Sequence, residues 1–104
     1  MLTQSRLLTI QQMDQVLNQA ENLLTDSETL LQRWQDFLPQ LQRLEQYYFG
    51  EDWRADYDAY EQGEIPPKMP CGVLSEDAIF NLCVSKREYA LQLMKLAIKL
   101  LETE

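Results

Sequence analysis

The chain has 104 residues, a formal net charge of −8 and no histidine, and 45% of its residues are hydrophobic. This composition is typical of one soluble globular domain, and the chain is too short for a large enclosed active site. The negative charge argues against direct nucleic-acid binding, while the missing histidine removes the commonest general base and the commonest nitrogen ligand of metals.

The N-terminus lacks a cationic stretch followed by a long apolar run, so we expect no signal peptide and no membrane partner. We therefore predict a cytoplasmic protein. Cys71 and Cys83 form no Cys-x-x-Cys pattern, which favours free thiols in a reducing compartment. Zinc is not indicated, and no cofactor is expected.

The N-terminal half, from about Gln4 to Tyr48, carries a heptad pattern of apolar residues. Spacings of 3 and 4 connect Ile10, Met13, Leu17, Ala20, Leu24, Ser27, Leu31, Trp34, Leu38 and Leu41. The pattern predicts one long amphipathic helix. Thr25 to Glu28 resembles a capping box, which would instead make a helical hairpin, but the heptad phase continues through it. At Pro39 we expect a kink and not a stop.

The middle of the chain predicts a short helix followed by a segment that cannot be helical. Gly50 is expected to end the first helix as a left-handed C-cap. A helix over residues 51–62 places Trp53, Tyr57 and Tyr60 on one side. Gly63 closes this helix, and the proline-rich residues 64–72 should run extended.

Residues Ser75 to Leu101 predict the last helix, with Ser75 as its N-cap and Leu74 and Ile79 as a hydrophobic staple. Apolar residues cover roughly 200° of this helix at about 100° per residue. Cys83, Ala90 and Ala97 form a row of small side chains on that side. Such a helix needs neighbours on two sides.

We therefore expect Val84, Leu91 and Ile98 to be covered, either by the same chain or by another one. Exposure of these three side chains in an isolated molecule would argue against this interpretation and against a protein-binding role. The first helix is also longer than the last, at 1.5 Å per residue, so the last helix cannot cover it. We favour self-association, for example as a homodimer, over cover by the aromatic middle segment.

The predicted fold is thus all-α, a single helical domain over residues 1–104. A long kinked amphipathic helix, a short aromatic-rich helix, a Pro-rich extended segment and a long C-terminal helix are expected to pack as a small helical bundle.

Candidate site residues are few. Asp52 and Asp56, helped by Glu76 or Asp77, are the only candidates that we name for a hard cation, and we favour no metal and no catalytic residue. Lys86 interrupts the apolar side of the last helix. We expect its stem to lie along the core and its ammonium to reach a carboxylate of the middle segment.

One group of residues resembles a known family. Trp53, Asp56-Tyr57, Glu61, Gly63, Pro66 or Pro67, the run Gly72 to Asp77, Ile79 and Leu82 are similar to the pattern of the DUF4298 family. The chain departs from that pattern at Tyr60, where an acidic residue is expected, and in its many glutamines. The resemblance implies a small acidic helical protein of bacterial or phage source and implies no activity.

Three functions follow as hypotheses. The leading one is a non-enzymatic helical module that binds a protein partner, with Val84, Leu91, Ile98, Trp53, Tyr57 and Tyr60 as candidate interaction residues. The first alternative is an acidic inhibitor that imitates nucleic acid in the groove of a basic protein. The second is an enzyme built on the four carboxylates around a divalent cation.

Overall fold

The computed structural model describes residues 1–102, and within that range the regular structure is entirely helical. Helix α1 spans Gln4–Phe49, α2 spans Glu51–Glu61, a 3₁₀ turn spans Gly72–Leu74, and α3 spans Ala78–Glu102. The predicted all-α class is therefore confirmed. The chain divides after Leu41 into two units, which are described separately. Whether they form the single domain predicted above stays a prediction.

The first unit, residues 1–41, is one uninterrupted helix preceded by three residues. The Thr3 hydroxyl oxygen accepts a hydrogen bond from the Arg6 N–H at 3.1 Å, which caps the first turn. The Thr25 hydroxyl donates to the Glu21 carbonyl at 3.0 Å, so Thr25 bonds back into the preceding turn and caps no new helix. The hairpin alternative is therefore excluded. The helix also continues through Pro39, where the predicted kink stays a prediction.

The apolar side of this first unit is open to solvent. Leu17 is 54% exposed, Leu24 is 61% exposed, and Leu41 is the residue of α1 that is buried, with 5% exposed. A helix in water gains most of its stability from packing an amphipathic face against a neighbour. Residues 1–41 contain no second element that could supply that neighbour.

The second unit, from Gln42 onward, has a small core around three buried side chains, Trp53, Leu74 and Ile79. Partly buried side chains pack against them, namely Leu44, Tyr47, Tyr48, Tyr57, Ile65, Cys71 and Cys83. Both cysteines are free thiols, as predicted. Since burial of one large apolar side chain stabilises a fold by roughly 1.5 to 3 kcal/mol, this core is modest.

The ends of α2 differ in how well they were predicted. Gly63 has a φ of 76°, its N–H donates to the Tyr60 carbonyl, and the Glu64 N–H donates to the Ala59 carbonyl. These are the two hydrogen bonds of a Schellman motif, so the prediction for Gly63 is confirmed. For Gly50, the predicted end of the first helix is confirmed, since α1 ends at Phe49, but the predicted left-handed conformation is wrong. With φ −93° and ψ −175°, Gly50 is extended and serves as the N-cap of α2, which begins at the next residue.

The start of α3 also differs from the prediction. Ser75 is extended and closes the 3₁₀ turn by donating its N–H to the Gly72 carbonyl, and α3 begins only at Ala78. The Asp77 carbonyl accepts the N–H of Asn81 at 2.8 Å. The Ser75 cap is therefore wrong, because the preceding residues wind into a turn that buries Leu74.

The proline-rich segment is not uniformly extended. The Met69 N–H donates to the Pro66 carbonyl at 3.1 Å, which closes a turn with Pro67 at its second position. Proline fits that position because its ring fixes φ near the value that the turn requires. The extended prediction is therefore wrong over these four residues.

Helix α3 is anchored at one end only. Ile79 is 3% exposed, whereas Val84, Leu91 and Ile98 are 43%, 45% and 56% exposed. Every residue from Arg87 to Glu102 is exposed. Cover of these three side chains by the chain itself is thus wrong, and packing as a small bundle is not confirmed. Within residues 1–102, no helix combines the length and the apolar content of a membrane span.

Candidate functional site

An aromatic cluster, formed by Tyr47, Tyr48, Trp53 and Tyr57, joins the end of α1 to α2. Tyr48 meets Trp53 edge to face at 5.1 Å between ring centroids, and Trp53 stacks on Tyr57 at 5.2 Å. The Trp53 indole N–H donates to the Val73 carbonyl at 2.8 Å. Buried tryptophan needs such a partner for its polar atom, and here that bond ties α2 to the 3₁₀ turn.

Two tyrosine hydroxyls of this cluster bind carboxylates. The Tyr47 hydroxyl donates to Asp56 Oδ2, and the Tyr57 hydroxyl donates to Glu76 Oε1, both at 2.7 Å. Burial and then the Asp56 bond raise the pKa of Tyr47 to about 12. The bond to Glu76 and then burial raise the pKa of Tyr57 to about 12. Both phenols therefore keep their protons at neutral pH and act as hydrogen-bond donors, not as bases.

The four candidate cation ligands are not gathered into a site. Asp56 and Glu76 each accept a hydrogen bond from a tyrosine hydroxyl, and the two tyrosines are different. Among residues 1–102, no group of three or more Asp, Glu, Cys or His side chains could hold a metal ion. Asp52 and Asp77 therefore do not join Asp56 and Glu76 around one cation.

Lys86 binds a carboxylate, although not the predicted one. Its ammonium donates to Glu45 Oε1 at 2.5 Å, and the two side chains are 36% and 28% exposed. The partner comes from the end of α1, so the predicted partner in the middle segment is wrong. The bond pairs the charge of Lys86 close to the core of the second unit.

The predicted interaction residues fall into two groups. Trp53 is 7% exposed and Tyr57 is half-buried in the aromatic cluster, so Trp53 cannot contribute to an exposed surface. Tyr60 is 45% exposed at the end of α2. The remaining three residues, Val84, Leu91 and Ile98, lie on the open part of α3.

Two exposed apolar surfaces emerge, one in each unit. We define the α1 stripe as Ile10, Met13, Val16, Leu17, Leu23, Leu24, Leu30 and Leu31, each more than 40% exposed. We define the α3 face as Val84, Leu91, Leu93, Met94, Leu96 and Ile98, also more than 40% exposed. Phe49, which is 71% exposed, was not among the predicted interaction residues. Its position beside Gly50, at the predicted end of the first helix, was the signal that could have identified it.

Comparison with known proteins gives one family. A family model described as "Domain of unknown function (DUF4298)" matches residues 10–96. No curated protein and no solved structure matches the chain. The match confirms the resemblance carried by the residues of α2 and the 3₁₀ turn.

Proposed function

Because the chain belongs to the DUF4298 family, whose description names no activity, we propose a function from its own surfaces: it is a non-enzymatic helical module that binds protein. The single observation that carries this proposal is the α3 face. Leu93 and Leu96 are 47% and 52% exposed in the middle of a regular helix, one turn apart. Contiguous apolar surface of this kind marks protein-interaction sites.

The exposure changes the argument for this function. The sequence argument expected Val84, Leu91 and Ile98 to be covered and took exposure in an isolated molecule as evidence against binding. Exposure leaves packing as a small bundle unconfirmed. It also leaves an amphipathic helix with a bare apolar side, which is the form that helix-in-groove recognition uses.

The aromatic cluster supports a scaffolding role. Its polar atoms bind within the second unit, through the Trp53 bond to Val73 and the tyrosine bonds to Asp56 and Glu76. It thereby holds the first turns of α3 in place while the rest of the helix stays open. We propose that the second unit is a scaffold that presents the α3 face to a protein partner.

Affinity capture with face variants tests the proposal. The tagged chain is expressed in its host beside an untagged copy, so that both a foreign partner and a second copy can be recovered. Leu93→Gln with Leu96→Gln keeps the charge and removes two apolar side chains, and we expect it to lose the captured protein. Ser85→Asn with Gln92→Asn changes the polar strip of the same helix without changing its net charge, and we expect it to retain that protein.

The outcome that contradicts the proposal is equally specific. If the wild type, the face variant and the strip variant capture the same proteins in the same amounts, the α3 face binds nothing. Circular dichroism of each variant shows whether the helices are intact, so that unfolding is not mistaken for loss of binding.

The acidic-inhibitor alternative has weaker support. Residues 51–77 hold eight carboxylates against Arg54 and Lys68, so most of the negative charge lies there. However, Asp56 and Glu76 accept hydrogen bonds from tyrosine hydroxyls, and Arg54 lies 3.7 Å from Asp58. A nucleic-acid mimic needs a continuous row of free carboxylates, and three of these eight are already engaged within the chain.

A further inference from the structure

We infer that the α3 face is covered by the α1 stripe of a second copy of this chain, and that the pairing is reciprocal, so that each copy supplies one α1 and one α3. This inference rests on the proposed function and names its partner. Three independent features support it: charge, side-chain size and length.

The two helices carry opposite charges beside their apolar surfaces. Residues 7–32 hold four acidic residues and no Lys or Arg, whereas residues 86–99 hold four basic residues and one acidic residue. On α1, Asp14, Glu21 and Glu28 recur every seven residues along one edge of the stripe. On α3, Lys95 and Lys99 lie one turn apart on the polar strip that borders the apolar face. Opposite charges at the edges of a helix pair determine partner choice.

The apolar rows are also complementary in size. On α1, Leu17, Leu24 and Leu31 recur every seven residues and are 54%, 61% and 59% exposed. On α3, Ala90 and Ala97 are exposed and recur at the same spacing between larger neighbours, while Cys83, the first residue of this row, packs against the core of the second unit. Large side chains of one helix pack closely when the facing helix presents small ones at the same period.

Length completes the match. Residues 7–32 of α1 rise about 39 Å, and the exposed residues 87–102 of α3 rise about 24 Å, at 1.5 Å per residue. The α1 stripe is therefore long enough to cover the exposed part of α3 along its whole length. Reciprocal pairing also gives two equal contacts related by a two-fold axis, which closes the assembly at two chains.

Pairing of like helices is disfavoured by the same charges. In an antiparallel pair of α1 helices, the edges with Asp14, Glu21 and Glu28 would face each other. Like charges across an interface cost free energy and suppress such pairing. The acidic edge of α1 therefore favours pairing with the basic α3 of the other copy.

A charge-exchange experiment on the purified chain tests this pairing. The wild type is expected to sediment at about twice the chain mass of 12.3 kDa. Asp14→Lys, Glu21→Lys and Glu28→Lys together make the acid-edge variant, and Lys95→Glu with Lys99→Glu makes the base-edge variant. Each is expected to weaken dimerisation by about tenfold or more, and one chain carrying all five changes is expected to recover most of the affinity.

The control variant carries Gln15→Lys, Asn22→Lys and Thr29→Lys, which add positive charge on the opposite side of α1. It is expected to dimerise like the wild type, because these positions lie away from the stripe. Circular dichroism verifies that every variant stays helical. The acid-edge variant raises the net charge by six and the control raises it by three. If the control lost at least half as much free energy of dimerisation as the acid-edge variant, net charge alone would explain the loss and the inference would be overturned.

Failure of this inference is distinguishable from failure of the proposed function. If the wild type is a monomer and a host protein is still captured through Leu93 and Leu96, a foreign partner covers the α3 face and self-pairing is refuted. If the wild type is a monomer and nothing is captured, both proposals fail. If it is a dimer in which the combined variant shows no recovery, α1 does not face α3.

Discussion

Replacing Trp53 by alanine is the most direct test of how the second unit is held together. Trp53 is 7% exposed, stacks on Tyr57 at 5.2 Å, and donates its indole N–H to the Val73 carbonyl at 2.8 Å. The substitution removes all of these contacts at once. It leaves a cavity beside Leu74 and Ile79, the two other buried side chains of the cluster.

The expected loss of free energy of unfolding is large compared with the total for the second unit. Truncation of a buried tryptophan to alanine costs about 3 to 5 kcal/mol. A unit of about 60 residues, from Gln42 on, has a free energy of unfolding of roughly 3 to 9 kcal/mol at 0.05 to 0.15 kcal/mol per residue. Trp53→Ala should therefore remove between about one third and all of the free energy of unfolding of the second unit.

Urea titration followed by near-ultraviolet circular dichroism measures this loss, since that signal reports ordered aromatic side chains. Phe49→Ala is the matched control, because it also truncates an aromatic residue, at a position that is 71% exposed. We expect the control to lose less than about 1 kcal/mol. If Trp53→Ala lost no more than Phe49→Ala, the aromatic cluster would not be the core of the unit.

Three further predictions address single features. Gly63→Ala places a side chain at a φ of 76° and should lower the free energy of unfolding by about 1 kcal/mol, as measured by urea titration. An unchanged free energy of unfolding would mean that the Schellman motif relaxes without cost. Lys86→Met should change the same free energy by at most about 1 kcal/mol, because its bond to Glu45 is partly exposed, and a larger loss would show a buried ion pair. Tyr47 and Tyr57, with pKa values raised to about 12, should resist ionisation in an ultraviolet pH titration. Because folding raises the pKa values of both tyrosines, their contribution to stability is complete below pH 10 and is lost as the pH rises towards 12. Ionisation of both tyrosines at pH 10 in the folded protein would refute the two hydroxyl–carboxylate hydrogen bonds.

Periodicity predicted the helices because it depends on residues close in sequence. The heptad phase that continues from Leu24 to Leu31 indicated one helix in place of a hairpin, and α1 is continuous there. Gly63 was predicted for the same reason, since a left-handed residue after a helix strongly favours glycine. In each case, chemistry within one or two turns decides the structure.

The start of α3 could not be predicted because a distant contact decides it. Ser75 and Asp77 are both good N-cap residues, so the local sequence allows either start. The indole N–H of Trp53 binds the Val73 carbonyl, which stabilises the 3₁₀ turn, and the helix begins beyond that turn at Ala78. Likewise, nothing local indicates that Tyr47 pairs with Asp56 or that Tyr57 pairs with Glu76.

The apolar pattern of α3 shows why amphipathicity alone does not predict a core. The same side of the helix carries Ile79, which is 3% exposed, and Leu96, which is 52% exposed. Periodicity records which side of a helix can be buried, but the neighbour that buries it is encoded elsewhere, in this chain or in another. Near Ile79 the neighbours are the 3₁₀ turn and the aromatic cluster, whereas every residue from Arg87 to Glu102 is exposed. The change of exposure along one unbroken apolar surface therefore marks where the fold of the second unit ends and where the proposed interaction surface begins.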